Sequence, residues 1–253
     1  MTNSTTDNTQ AVVDACLLAG QIMIQSGAET YRAEDTMLRM ASAAGRPDCQ
    51  SYVTPTGIIF SAEGSKQTHF TRIFDRGTDL EKIALVNAMS RKMAAGELTV
   101  QEALEELRNL EKADLSFPVW LQIVAAALVS GSFLVMFKGD WQDFLPAVAA
   151  GTAGFSSLLL IHHFTRVKFF AEFFASLMIG LVAFFFVSAG IGKDLDLIII
   201  ASVMPLVPGV LITNAVRDLM AGHLVAGLSK GVEAFLTAFA IGTGVAVVFS
   251  LWV

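Results

Sequence analysis

Charge is scarce in the second half of this 253-residue chain, and cysteine is scarce throughout. No Walker loop, Rossmann glycine fingerprint or G-x-S-x-G elbow occurs, so neither ATP hydrolysis nor esterase chemistry has a sequence warrant. His69 lies in an expected strand with no second His, no Cys and no carboxylate at ligand spacing, which argues against a zinc site; no metal or cofactor is expected. Cys16 and Cys49 form no C-x-x-C pattern and read as small buried apolar residues of a reducing compartment. Met1 to Gln10 is polar and lacks the basic region and short apolar core of a signal peptide, so the N-terminal half is expected to stay in the cytosol. Lys and Arg number 17 against 23 Asp and Glu, and the basic residues are interleaved with acids. That pattern argues against a nucleic-acid partner.

What is present is unevenly spread. Residues 1–116 hold 11 of the 17 Lys and Arg and 16 of the 23 Asp and Glu, whereas residues 117–253 hold only 13 charges and nearly all the long apolar runs. With a mean hydropathy of +0.59, the chain reads as a membrane protein, mainly α, in which a five-helix transmembrane bundle follows an N-terminal cytosolic α+β domain. A span needs roughly 20 mostly apolar residues, and five segments qualify, at 119–137, 144–161, 169–190, 195–214 and 232–253. Arg108, Lys112, Arg166, Lys168, Arg217 and Lys230 flank one side of these spans, so the positive-inside rule puts the N-terminus in the cytosol and Val253 outside. Gly151, Gly154, Gly180, Gly190, Gly242, Gly244 and the Gly227-x-x-x-Gly231 pair permit close helix approach in a bilayer. Glu172 and Glu233, near span ends, are placed to reach interfacial water.

In residues 1–116 helical spacing over Thr9 to Gln25 predicts an amphipathic helix too polar to span. Ser26-Gly27-Ala28-Glu29 then combines a glycine stop with an S-x-x-E capping box, and a second helix ends at Gly45 and Pro47. Strands are predicted at Ser51 to Thr54, Gly57 to Ala62 and Thr68 to Phe74, with a turn at Glu63-Gly64-Ser65-Lys66. Two more helices start at capping boxes Thr78 to Glu81 and Thr99 to Glu102, giving the order ααβββαα. Glu29, Arg32, Glu34, Asp35 and Arg39 are crowded. They fit either a polar site or structural pairing, with Glu29 capping its own helix and Asp35 paired to Arg39.

The fourth expected span is interrupted by Met204-Pro205-Leu206-Val207-Pro208-Gly209. The two prolines free the carbonyls of Ala201 and Met204 at a depth where lipid offers no partner, so the break must face protein or water. Discontinuous helices of this kind build substrate sites in secondary transporters, because a half-helix N-terminus presents bare N–H groups and a positive dipole end. From Pro205 to Glu233 the chain adds Thr213 and Asn214, Arg217 and Asp218, and His223 within about eight helical turns. The same residues also fit a kinked span with a cytosolic Arg-Asp cap.

Two segments carry a resemblance, Ser26-Gly27-Ala28-Glu29-Thr30-Tyr31-Arg32 and Pro205-x-x-Pro208-Gly209 through Arg217-Asp218-x-x-x-Gly222-His223. Together, in this order, they resemble the threonine/serine exporter family over the whole chain. The resemblance implies a secondary exporter of small carboxylates. Five spans resemble the larger subunit of a split, succinate-exporter-like form in a bacterial inner membrane, whose smaller partner would add about four or five spans; a higher oligomer is also compatible. A carboxylate would sit on the N–H groups after Pro208 and Gly209. Thr213 and Asn214 would donate hydrogen bonds and Arg217 a cation, while Asp218 would orient Arg217 or carry a coupling proton. A tethered metabolite sensor or enzyme in residues 1–116, and a passive channel, are the competing readings.

Overall fold

A computed structural model describes residues 2–62 and 68–250, with side chains from Thr9 onward. The elements are α1 (Thr2–Gln25), α2 (Thr30–Ala43), β1 (Gln50–Thr54), β2 (Gly57–Ser61), β3 (Thr68–Arg72), α3 (Leu80–Ala94), α4 (Val100–Lys112), α5 (Val119–Met136), α6 (Trp141–Thr165), α7 (Lys168–Ser188), α8 (Leu195–Val203), a 3₁₀ turn (Met204–Leu206), α9 (Gly209–Met220) and α10 (Leu224–Ser250). They form two compact units, one of Met1–Ser116 with Val210–Gly231 and one of Phe117–Gly209 with Val232–Val253.

In the first unit the strands make an antiparallel β1-β2-β3 sheet. Its period-2 alternation buries Val53, Ile58 and Phe60 with Ile22, Met23, Met37, Met40 and Leu107 of the helices. Tyr52, Ile59 and Phe70 pair across the other face. The turn expected at residues 63–66 lies outside the described residues. Thr99 and Glu102 form the expected reciprocal capping box. The box expected at Thr78 is displaced by one residue: Asp79 is the N-cap and accepts from the Lys82 N–H at 3.0 Å, its carboxylate suiting the positive end of α3. Cys16 and Cys49 are both buried. Burial, reinforced by Cys49, pushes the Cys16 thiol up to about 12, which makes it inert rather than nucleophilic at neutral pH.

In the second unit α5, α6 and α7 are long and apolar enough to cross a membrane; α10, which runs through both units, is as well, and the bent pair Leu195–Leu206 with Gly209–Met220, also divided between the units, counts as a fifth candidate if it is one span. The expected segments are recognisable, with shifted ends. α6 starts at Trp141 rather than 144 because Asp140 caps it, accepting from the Gln142 N–H. α10 starts at Leu224 rather than 232, taking Lys230 into the helix. The core is built of small residues, among them Ala147, Ala150, Ala175, Ala183 and Ala201. A Cβ on Gly151 would lie 2.0 Å from Ser130 Oγ, and one on Gly244 would lie 2.4 Å from the Phe173 carbonyl. Helix backbone therefore lies close against a side chain at Gly151 and against another helix's backbone at Gly244, while Gly242 and Gly231 face open space. Glu172 does not reach interfacial water as expected: it is buried, and its Oε2 has no hydrogen-bond partner among the described residues.

The expected break in the fourth candidate span is present in the backbone, where the two helical segments are bent by 62°. The 3₁₀ turn carries Pro205, and Val207 is extended at φ −63° and ψ 128°. Helix resumes at Gly209, directly after Pro208. Part of the freed hydrogen bonding is recovered locally, since the Val207 N–H donates to the Met204 carbonyl at 3.3 Å and the Gly209 N–H to the Val207 carbonyl at 2.8 Å. Pro205 also borders an apolar cavity of about 450 Å³ lined by Phe117, Leu121, Gln122 and Phe155, among others, so the break packs beside protein.

Candidate functional site

The first unit brings the two sequence segments together. Each is built around a glycine that ends a helix. Gly27 (φ +85°) follows α1 and Gly222 (φ +88°) follows α9. In both, the next residue's N–H reaches back to a carbonyl of the last turn, Ala28 to Met23 at 2.9 Å and His223 to Asp218 at 2.9 Å. These are Schellman closures, which demand a left-handed residue and so favour glycine. They turn the chain sharply and leave the carbonyls of Gly27 and Ala28, and the start of α2, open to α9 and α10.

Those groups are then claimed one by one. The Asn214 amide donates to the Gly27 carbonyl at 2.7 Å. Lys230 Nζ donates to the Ala28 carbonyl at 2.9 Å and to Asp218 Oδ2 at 2.8 Å. Asp218, 0% exposed, also accepts from the Thr30 N–H at 2.9 Å and from the Thr30 hydroxyl at 2.9 Å. Thr30 is the first residue of α2, so its N–H is one of the orphan donors of a helix N-terminus. The expected S-x-x-E box does not form, because Glu29 makes no side-chain cap. Asp218 caps α2 from 188 residues away. An acid near the end of α9 is unfavourable against that helix's own dipole, and both the positive end of α2 and the Lys230 ammonium offset it. The buried pair thus gains further hydrogen bonds on both sides, three accepted by Asp218 and two donated by Lys230, the condition under which burying two charges is tolerated.

Freed from capping, Glu29 bridges two arginines. Arg217 Nη1 donates to its Oε1 at 2.6 Å and Arg32 Nη1 to its Oε2 at 3.0 Å. Burial opposes ionisation of Glu29, but its own backbone N–H, Arg217 and Arg32 outweigh burial and hold the carboxyl below its ordinary value. Glu29 is 5% exposed at its side chain, whereas Arg217 keeps 56%. The pair is therefore screened on one side and worth no more than about 1 kcal/mol to stability. Glu34 stands nearby, accepting from the Val53 N–H at 2.8 Å and lying 3.8 Å from His223 Nε2. Burial pushes its carboxyl up; the Val53 N–H and His223 pull against this, and the Asp218 charge adds to it.

Of the residues singled out from sequence, Ser26, Gly27, Glu29, Arg32, Thr213, Asn214, Arg217, Asp218 and His223 lie in this one unit. Pro205, Pro208 and Gly209 form the break, and Glu233 pairs with Lys168 at 3.0 Å in the other unit. Asn214 donates to backbone, and both Asp218 oxygens are taken by Thr30 and Lys230 rather than by Arg217. Thr30, Glu34 and Lys230 were not picked out as site residues. Lys230 had a signal, since it faces Asp218 across the Gly222 turn, but a lone lysine next to a span reads as a topology marker. Among the described residues no group of three His, Cys, Asp or Glu could hold a metal ion. Gly27→Ala tests the geometry. The left-handed φ costs about 1–2 kcal/mol with a Cβ, and that Cβ would lie 2.8 Å from the Gly77 carbonyl. The purified variant is expected to melt below the parent.

The sequence profile of the family described as "Putative threonine/serine exporter" matches residues 14–252. Among curated proteins, the chain is 24% identical to the "Probable succinate transporter subunit YjjP" of Klebsiella aerogenes over 96% of this chain and 95% of that one. It is 24% identical to the protein of the same name in Escherichia coli K12, over 98% and 97%. Identity to the "Probable threonine/serine exporter" of Mycobacterium tuberculosis is 26%, over 91% of this chain but 44% of that longer protein. No solved structure matches.

Proposed function

This chain belongs to the threonine/serine exporter family, and as a multi-pass membrane protein of that family it is, we propose, one subunit of a two-component secondary transporter that exports small carboxylates. The relatives of similar length are named subunits, while the longer relative, of which this chain covers 44%, is named an exporter without the word subunit. A smaller membrane subunit supplies the remaining spans. The pair sits in the bacterial inner membrane with the N-terminus in the cytosol, as the basic flanks indicate. Succinate-type dicarboxylates and threonine or serine are the candidate cargoes.

One observation carries the site assignment: Arg217 is bound by a buried protein carboxylate yet remains half exposed. A guanidinium presented this way recognises a carboxylate in its planar, forked geometry. In the resting state Glu29 occupies it. An arriving substrate carboxylate takes the place of Glu29 on Arg217, while Arg32 retains Glu29 and keeps its buried charge paired. Return of Glu29 to Arg217 then displaces the cargo. Asn214, Asp218 and Lys230 hold the frame, and α9 connects it directly to the break at Pro208. Glu172 and Glu233 lie on the membrane helices, where an acid marks a pathway candidate.

Cells loaded with labelled succinate or labelled threonine are the test. Expressing this chain together with a four- or five-span partner is expected to release one label, and this chain alone neither. Release by the chain alone would refute the two-component reading. Retention of both labels by the pair would refute carboxylate export.

A further inference from the structure

A second polar feature of the first unit lies apart from Arg217. One face of α2 carries Arg32, Asp35, Thr36 and Arg39 at i, i+3, i+4 and i+7, and the facing stripe of α3 carries Ala84, Asn87 and Arg91 at i, i+3 and i+7. Between them is a cleft of about 420 Å³. That volume falls within the range of about 300 to 1,000 Å³ of small-molecule sites. Ala84 contributes only a methyl group, which leaves the space between the guanidinium groups open.

Charge in the cleft is unbalanced. Arg39 pairs with Asp35 one turn away, and Arg32 with Glu29. Among the described residues the Arg91 guanidinium has neither ion pair nor hydrogen bond. Thr36 donates to Asn87 Oδ1 at 3.2 Å, and Asn87 Nδ2 donates to the Ile83 carbonyl at 2.8 Å. The neutral side chains are thus fixed against one another while three arginines converge. Three planar forks around one volume match a ligand with two anionic groups, since each fork can take two oxygens of a carboxylate or phosphate.

We propose that the cleft between α2 and α3 binds a small metabolite dianion, either a dicarboxylate or a phosphate-bearing compound, at a site distinct from Arg217. Because Arg32 also bonds Glu29, a bound dianion draws Arg32 toward the cleft and leaves Glu29 more fully to Arg217. Occupancy is then communicated to the exchange site through one shared side chain. Binding itself is independent of whether the chain exports anything.

The test is calorimetric titration of the detergent-purified full chain with succinate, inorganic phosphate and threonine in turn, at one ionic strength. Arg217→Ala serves as background: it removes the proposed transport site and keeps every residue of the cleft, and because Glu29 then has Arg32 alone, affinity is expected to be lower there than in the parent, which is titrated beside it. Saturable binding of succinate or phosphate is expected, and the preferred one identifies the acid group. Adding Arg91→Ala is expected to weaken it at least tenfold and Arg91→Lys to weaken it less. Arg91 is exposed in the last turn of α3, so its replacement leaves the fold in place, and a matching melting temperature checks this. Absence of saturable binding, binding of threonine alone, or affinity unchanged by Arg91→Ala overturns the proposal.

Discussion

Replacing Lys230 by Ala is expected to destabilise the first unit by about 3–5 kcal/mol, the range found when one partner of a buried ion pair is removed. The reason is local. Asp218 has no exposed surface, and without the ammonium its charge would rest on the Thr30 N–H and hydroxyl alone. The Ala28 carbonyl would lose its donor as well. At this chain length 1 kcal/mol moves the melting temperature by roughly 2–4 °C, so a thermal melt of the purified chain reads the effect easily. Combining Lys230→Met with Asp218→Asn is expected to return most of the loss, because the pair then carries no buried charge and the amide oxygen still accepts from Thr30. If Lys230→Ala melts like the parent, the buried pair is not what holds α9 and α10 to the start of α2.

Removing the cation at Arg217 is expected to act on export rather than on stability. Arg217→Ala loses one screened ion pair, so its melting temperature should stay close to that of the parent, with Glu29 still held by Arg32. Export is expected to fall about 10- to 100-fold at equal protein level, the factor corresponding to the roughly 1.5–3 kcal/mol of a hydrogen bond to a charged group. Acid should separate the two carboxyls beside it. Glu29 is held below its ordinary value, so its contribution to stability is fully present above the unfolded carboxyl pKa and disappears as pH falls through the lowered native value. Glu34 is pushed the other way. Its ionisation opposes folding, so stability rises as pH falls from its raised native value toward the unfolded one.

The helical and strand pattern of residues 9–112 was legible because local signals agree with tertiary needs: apolar periodicity, glycine stops at Gly27 and Gly45, and the box at Thr99. The membrane helices were legible from length and hydropathy, and the break from its two prolines. The site was legible as two motifs and illegible as one place. Ser26 to Glu29 reads locally as a capping box, and only the arrival of Asp218 as the cap of α2 releases Glu29 to meet Arg217. Nothing within either segment encodes a partner 188 residues away. Lys230 was missed for the same reason, since its role depends on the turn at Gly222 folding α10 back beside α9. At Thr78 the error was smaller: Asp79 is the stronger acceptor at a helix start, and the helix takes it.

The most direct measurement is a double-substitution cycle on export at equal protein abundance, using Glu29→Gln, Arg217→Ala and both together. Alone, Glu29→Gln is expected to lower both the half-saturating substrate concentration and the maximal rate, because the competitor that ejects cargo has lost its charge. Added to Arg217→Ala it is expected to change nothing further, as the two side chains act only through each other. If Glu29→Gln has the same effect in both backgrounds, or if either single variant exports like the parent, the exchange of carboxylates on Arg217 is contradicted.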